Sequence, residues 1–225
     1  MRHSLITNVF VGLFLAFPTL SFASGHSPEQ TLQVSVFNDA RVPLALLTQA
    51  EARASAVLAQ AGIRAEWLHC SSDPRLAPDQ FHTPSPCSRI AFPSHLSIRL
   101  LPRALIHSED AFGQSFLDDS GIGAYANVYY DRVASFCLDS SQSHGDLLGY
   151  IFAHEIGHLL LGPDSHSPSG VMCARWSPPQ LALASRGLIF FTSTQSALMR
   201  SRIESTLSSL FSEPRFRIRS SAFPS

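Results

Sequence analysis

The 225-residue chain has no excess of basic charge, no C-x-x-C pair, no internal repeat and, beyond its N-terminus, no long hydrophobic run. Sixteen Lys and Arg against seventeen Asp and Glu leave a net charge of −1, which excludes the basic surface of a nucleic-acid binder. Without paired C-x-x-C ligands a zinc–cysteine cluster has no anchor. Without self-similarity a solenoid or propeller is excluded. No stretch after the N-terminus approaches the roughly 20 apolar residues of a spanning helix. What remains, 45% hydrophobic and 15% charged, suits one globular domain with a real core.

The first residues read as an export signal. Arg2 and His3 precede an apolar run from Val9 to Phe17, and Ser21-Phe22-Ala23 supplies a small-residue cleavage site. The run is too short to be an anchor, and Pro18 interrupts it. The expected organisation is a signal peptide over 1–23 cleaved after Ala23, a short leader over 24–30, one domain over 31–211 and an irregular tail over 212–225. The leader is too short for a long pro-segment. The mature chain is expected to be secreted or periplasmic, without stable membrane insertion, and still close to neutral, since cleavage removes Arg2 alone among charged groups. An oxidising compartment permits disulfides. Cys70 and Cys87 bracket a loop rich in Pro, Ser and Asp and are the first choice for a bridge; Cys137 and Cys173 remain as a second bridge or as two thiols.

Thr31 to Phe37 alternates as a strand, Pro43 to Ala61 is rich in helix formers with Gly62 as terminator, and Ile63 to His69 alternates again. Together they predict a strand-helix-strand unit. A surface loop follows from Ser71 to Pro93, then a strand over Leu96 to Leu101. Phe112 to Val133, with Gly113, Gly121 and Gly123 around two short extended runs, reads as an edge hairpin or staggered pair beside a cleft, the plain alternative being a meander with glycine bends. A last helix is expected from Thr192 to Leu210, with Thr192 as N-cap and Gln195 completing a capping box.

The helix between these segments starts near Ser143 to Asp146 and stops at Gly162-Pro163. Leu147, Leu148, Ile151, Phe152, Ile156, Leu159, Leu160 and Leu161 leave almost no polar face beyond His154, Glu155 and His158, so the helix is expected to be central and buried. Three ionisable side chains there are costly unless something satisfies them. Positions four apart on a helix face nearly the same way, so His154 and His158 can grip one metal ion, while Glu155 is placed to touch a water on it. That chemistry calls for a zinc ion, Zn²⁺, with a general base beside it.

The stretch HEIGHLLLGPDSHSPSGVM resembles the active-site segment of the metzincin clan of zinc metallopeptidases: two histidines and a glutamate, a glycine, a later histidine and a methionine-containing turn. It also resembles an exported bacterial family sharing an HE-x-GHLLLG stretch, a later HSP and an Ile/Val-Met. The resemblance implies an α+β zincin-like fold: a mixed twisted sheet, an N-terminal strand-helix-strand unit, a central active-site helix and a C-terminal helix. The clan pattern H-E-x-x-H-x-x-G-x-x-H is not met literally. Leu161 stands at the glycine position, Gly162 follows it, Asp164 stands at the third-ligand position and His166 lies two residues beyond. His166 is preferred as third ligand, because Gly162-Pro163 ends the helix late and an imidazole reaches farther than an aspartate. Asp164 stays open as the alternative, and Glu204 on the last helix is a more distant one.

Ser169-Gly170-Val171-Met172 resembles the methionine turn that packs beneath the ligands of these enzymes, and no tyrosine follows Met172 to act as an extra ligand. The implied activity is hydrolysis of a peptide or protein substrate with Glu155 as base. By the resemblance, an extended substrate would add as a strand along Gly121 to Asn127, centred on Gly123, Ala124 and Tyr125; Tyr125 and Trp176 are candidates for the cleft wall, the plain alternative for each being an ordinary packed side chain. Two other readings stand beside it: a zinc amidase acting on cell-wall peptides, and a non-catalytic zinc-stabilised binding module.

Overall fold

Residues 30–72, 85–104, 111–139 and 142–211 of the computed structural model are described below. The expected signal peptide, nearly all of the leader, part of the loop after Cys70 and the tail over 212–225 lie outside the described residues. No helix among the described residues is long and apolar enough to cross a membrane.

Alternating Leu32, Val34 and Val36 bury one face of strand β1, Gln30–Asn38, in the hydrophobic core, and helix α1, Leu44–Gln60, follows and packs on a later helix and on the next strand. Gly62 takes a positive φ of 78°, so the chain reverses there into β2, Ile63–Cys70, which pairs parallel with β1. The expected strand-helix-strand unit is present. Strand β3, His95–Leu101, lies on the other side of β1, also parallel, and β5, Tyr125–Tyr129, continues the parallel set. Strand β4, Gly113–Phe116, closes the sheet antiparallel to β5, giving the order β2-β1-β3-β5-β4.

This order corrects one expectation. Gly123, Ala124 and Tyr125 do not form an edge: Tyr125 pairs with Ser97 of β3 on one side and Phe116 of β4 on the other. The edge on this side of the sheet is β4, only four residues long, whose glycine start carries almost no strand signal.

Helix α3, His144–Leu161, sits against α1 and the sheet. From Leu147 to Leu160 every residue is buried except His154 and His158, which are half-buried. Ser143 caps its start by accepting from the Asp146 amide, and Gly162 caps its end at a φ of 90°. Asp146 also pairs with Arg53 of α1 at 2.9 Å. The two helices approach so closely at Gly149 that a Cβ there would run into the carbonyl oxygen of Ala50 and the Arg53 side chain.

Two helices carry no strong sequence signal. Helix α2, Tyr130–Asp139, follows β5 without a break; Tyr, Val, Phe and Cys favour strands, and only tertiary packing of Val133 and Cys137 selects the helix. Helix α4, Pro178–Ser185, starts on two prolines, which read as breakers yet suit a first helical turn, here with Ser177 and Gln180 completing a capping box. Helix α5, Ser193–Phe211, is capped as expected: the Thr192 hydroxyl accepts from the Gln195 amide, and Gln195 Oε1 accepts from the Thr192 amide.

Cys70 and Cys87 form the expected disulfide, tying the 3₁₀ turn Pro86–Ser88 to the end of β2. Cys137 and Cys173 do not pair; the first is buried in α2 and the second is a partly exposed free thiol. On the sheet face opposite Val34 and Val36, buried Ser35 and His95 join β1 to β3 through a 2.8 Å hydrogen bond. Burial holds the His95 pKa below its ordinary value.

Gly149→Ala gains helix propensity but meets a backbone carbonyl that cannot rotate away, so it is expected to lower stability by about 1–3 kcal/mol in denaturant unfolding. The unfolded chain protonates His95 near pH 6.5 while the folded chain does not, so folding loses stability as pH falls from about 6.5 towards the lower folded value. His95→Gln should flatten that part of the unfolding-versus-pH profile relative to wild type; identical profiles would contradict the assignment.

Candidate metal centre

One helical turn separates His154 from His158, and the surrounding structure aims both rings at one point. The His154 Nδ1 proton is donated to the carbonyl oxygen of Val171 at 2.7 Å, which leaves the Nε2 lone pair free as a ligand. His158 Nδ1 lies 2.8 Å from Ser165 Oγ. The two Nε2 atoms are 3.0 Å apart. Two ligands of one tetrahedral zinc, each at about 2.0–2.1 Å, would lie roughly 3.3 Å apart, so the pair fits a shared ion with a small adjustment.

The third ring is His166. Its centroid lies 4.7 Å from that of His158 and 5.4 Å from that of His154, and the three residues offer nitrogen atoms within 4.8 Å of one another. Gly162 leaves the helix in a left-handed conformation and Asp164 takes a second one, φ 55°, folding the chain back over the end of α3. Asp164 is exposed and outside the histidine group; its short side chain tolerates the left-handed backbone that the return needs. Gln195 at the start of α5 donates to the Ser165 carbonyl at 3.3 Å and fixes the loop from above. Glu204 lies elsewhere, accepting from Gln30.

Met172 is fully buried and lies against Gly157 of α3. A side chain at Gly157 would collide with the Met172 sulfur and the Phe191 ring, so the glycine between the two helix histidines is demanded by this contact. The turn carrying Met172 has Gly170 at φ 82° and a Cys173 amide bonded to the Gly170 carbonyl at 3.2 Å. The same turn presents the Val171 carbonyl to His154, so methionine packing and ligand orientation are mechanically joined.

Burial lowers the pKa of His154, and burial together with the neighbouring His154 and His166 lowers that of His158 to about 3. At neutral pH neither imidazole has a proton to shed before binding a cation. Glu155 is 5% exposed, and burial pushes its carboxyl up to about 7 against the opposing pull of a hydrogen bond from Ser115. A carboxyl poised there can take and return a proton near neutrality. A cation on the three rings would draw that value down.

The rings and Glu155 open into a cleft of about 670 Å³, walled by Gln114 and Ser115 of β4, Phe136 of α2, Ile151 and Trp176. Trp176 lines this cleft rather than being simply packed. Tyr125 does not line it: it is 56% exposed and borders a separate cavity beside Phe37 and Arg99. Ser115 and Ser165 were not legible as site residues, because serine is common in the chain and nothing in the spacing ties either one to the helix histidines.

No protein-family model matches this sequence, and no curated protein matches it. Among solved structures the chain is similar to a zinc-dependent peptidase from Methanocorpusculum labreanum, with 17% identity and a TM-score of 0.51 over 74% of this chain and 99% of that one. It is also similar to archaemetzincin from Methanopyrus kandleri, with 14% identity and a TM-score of 0.48 over 81% of this chain and 99% of that one. At such identity the first likeness is one of fold, and the mixed α+β architecture expected from the sequence is the architecture found.

Proposed function

We propose that the chain is an exported zinc-dependent metallopeptidase that hydrolyses peptide bonds with Glu155 as general base. One observation carries the proposal: three imidazoles converge beside a buried carboxylate on the floor of an open cleft. A structural zinc site is closed by four protein ligands, whereas three histidines leave a position open. The similar structure from M. labreanum is itself described as a zinc-dependent peptidase, which supports the reading. The export signal at 1–23 and the Cys70–Cys87 bridge favour an oxidising compartment.

Bound zinc would supply Lewis-acid polarisation of the scissile carbonyl and acidify a water. The chain's own groups do the rest. His154, His158 and His166 would hold the ion, the first two with their Nδ1 atoms already engaged. Glu155 takes a proton from the attacking water and hands it to the departing amine, so the carboxylate is restored at the end of the cycle. The free edge of β4 offers main-chain hydrogen bonds to an extended substrate, a mode that tolerates many sequences. Met172 and the turn around it keep the His154 ring in place in the manner of a methionine turn. A zinc-stabilised binding module has no use for a buried base, and Glu155 costs such a module stability.

The purified protein is expected to carry one zinc per chain. His166→Ala should lose most of the zinc affinity and all cleavage of an unstructured protein substrate. Asp164→Asn, which keeps a side chain suited to the left-handed backbone, should keep both; the opposite pattern would transfer the ligand role to Asp164. Glu155→Gln should keep the zinc while kcat drops by about 10²–10⁴-fold, and unchanged hydrolysis would refute catalysis at this site.

A second consequence concerns stability. Folded Glu155 keeps its proton up to about pH 7, while the unfolded chain loses it near pH 4.3, so the buried carboxyl costs the metal-free fold stability that grows as pH rises between those values. Metal-free Glu155→Gln is expected to exceed metal-free wild type by about 1–3 kcal/mol at pH 8, with the gap closing towards pH 4 in denaturant titrations.

A further inference from the structure

We infer that Ser115 is the positioning residue for Glu155, and that with Gly113 it makes strand β4 a cradle for the base. The inference rests on the peptidase reading above for its kinetic consequence, but its geometry stands independently. Gly113 and Ser115 are two apart on β4 and so present the same face, here to α3. Ser115 Oγ lies 2.7 Å from Glu155 Oε2 and 3.0 Å from the Glu155 main-chain oxygen. A Cβ built on Gly113 would stand 2.6 Å from Glu155 Oε1. One carboxylate oxygen is thus held by the hydroxyl, and the other rests where only glycine leaves room.

A hydroxyl carries one proton and two acceptor lone pairs, and Ser115 has two acceptors within reach. With Glu155 ionised, the hydroxyl proton points to Oε2. Once the carboxylate has taken a proton from water, that proton faces the cleft to which it will be returned, and the hydroxyl still donates to Oε2. The serine therefore grips Glu155 in both states without moving a heavy atom. No other side chain among the described residues is seen to hydrogen-bond this carboxyl; the nearby Tyr129 hydroxyl is engaged with Gln114 at 3.3 Å. An alanine would leave the carboxyl free to swing, and an error of about 1 Å in a reacting group costs on the order of 10²-fold.

The test uses the full zinc-loaded protein with Ser115→Ala, Ser115→Thr and Gly113→Ala. Ser115→Ala is expected to keep one zinc at wild-type affinity and an unchanged KM while kcat falls roughly 10- to 100-fold, and Ser115→Thr, which retains the hydroxyl, should recover to within several-fold of wild type. Crystal structures of zinc-loaded Ser115→Ala and Gly113→Ala should show the Glu155 carboxyl displaced from β4. A carboxyl unmoved in Ser115→Ala, or parallel losses of zinc affinity, KM and kcat with no recovery in Ser115→Thr, would overturn the assignment. If wild type cleaves nothing and Glu155→Gln behaves identically, the peptidase reading fails, and the position of the carboxyl in the two crystal structures still decides whether Ser115 holds it.

Discussion

The structure turns on the burial of helix α3. A helix hidden on nearly every side can hold His154, Glu155 and His158 only if each polar group has a partner, because an unpaired buried ionisable group costs several kcal/mol. The surrounding elements supply those partners. The Val171 carbonyl accepts from His154 Nδ1, Ser165 meets His158, and Ser115 meets Glu155. These partners come from the loop after Gly162, the methionine-bearing turn directly beyond it, and the edge strand, 40 residues before Glu155. What they leave is the inner face of three imidazoles, where the Nε2 atoms of His154 and His158 meet each other at 3.0 Å, and that face has the chemistry of a metal site.

The same constraint explains the departure from the usual ligand spacing. The helix runs to Leu161, so the chain needs two left-handed residues, Gly162 and Asp164, to come back over its own end. Literal spacing would make Asp164 a ligand. Helix length makes it a turn residue and brings His166 to the rings instead. Gly157 plays the complementary part within the helix, where the Met172 sulfur fills the space a side chain would occupy.

Sequence reasoning reached the parts governed by local rules. The helix was readable from its apolar periodicity and its glycine stop, the cap of α5 from Thr192 and Gln195, the histidine pair from four-residue spacing, and the Cys70–Cys87 bridge from the loop it encloses. It failed where non-local packing decides. Strand order put β5 inside the sheet and the four residues of β4 at its edge, which no alternation pattern reports. Helix α2 forms from residues that favour strands, and Cys137 and Cys173 are kept apart by the elements that carry them. Ser115 was invisible for the same reason: its role exists only once β4 lies against α3.

The most direct measurement is anomalous diffraction at the zinc edge from crystals of the purified protein. The account predicts one peak at about 2.0–2.1 Å from a nitrogen of each of His154, His158 and His166, with a solvent molecule in the fourth position on the side of Glu155. A peak bound through Asp164, a fourth protein ligand closing the site, or no peak after zinc loading would contradict it.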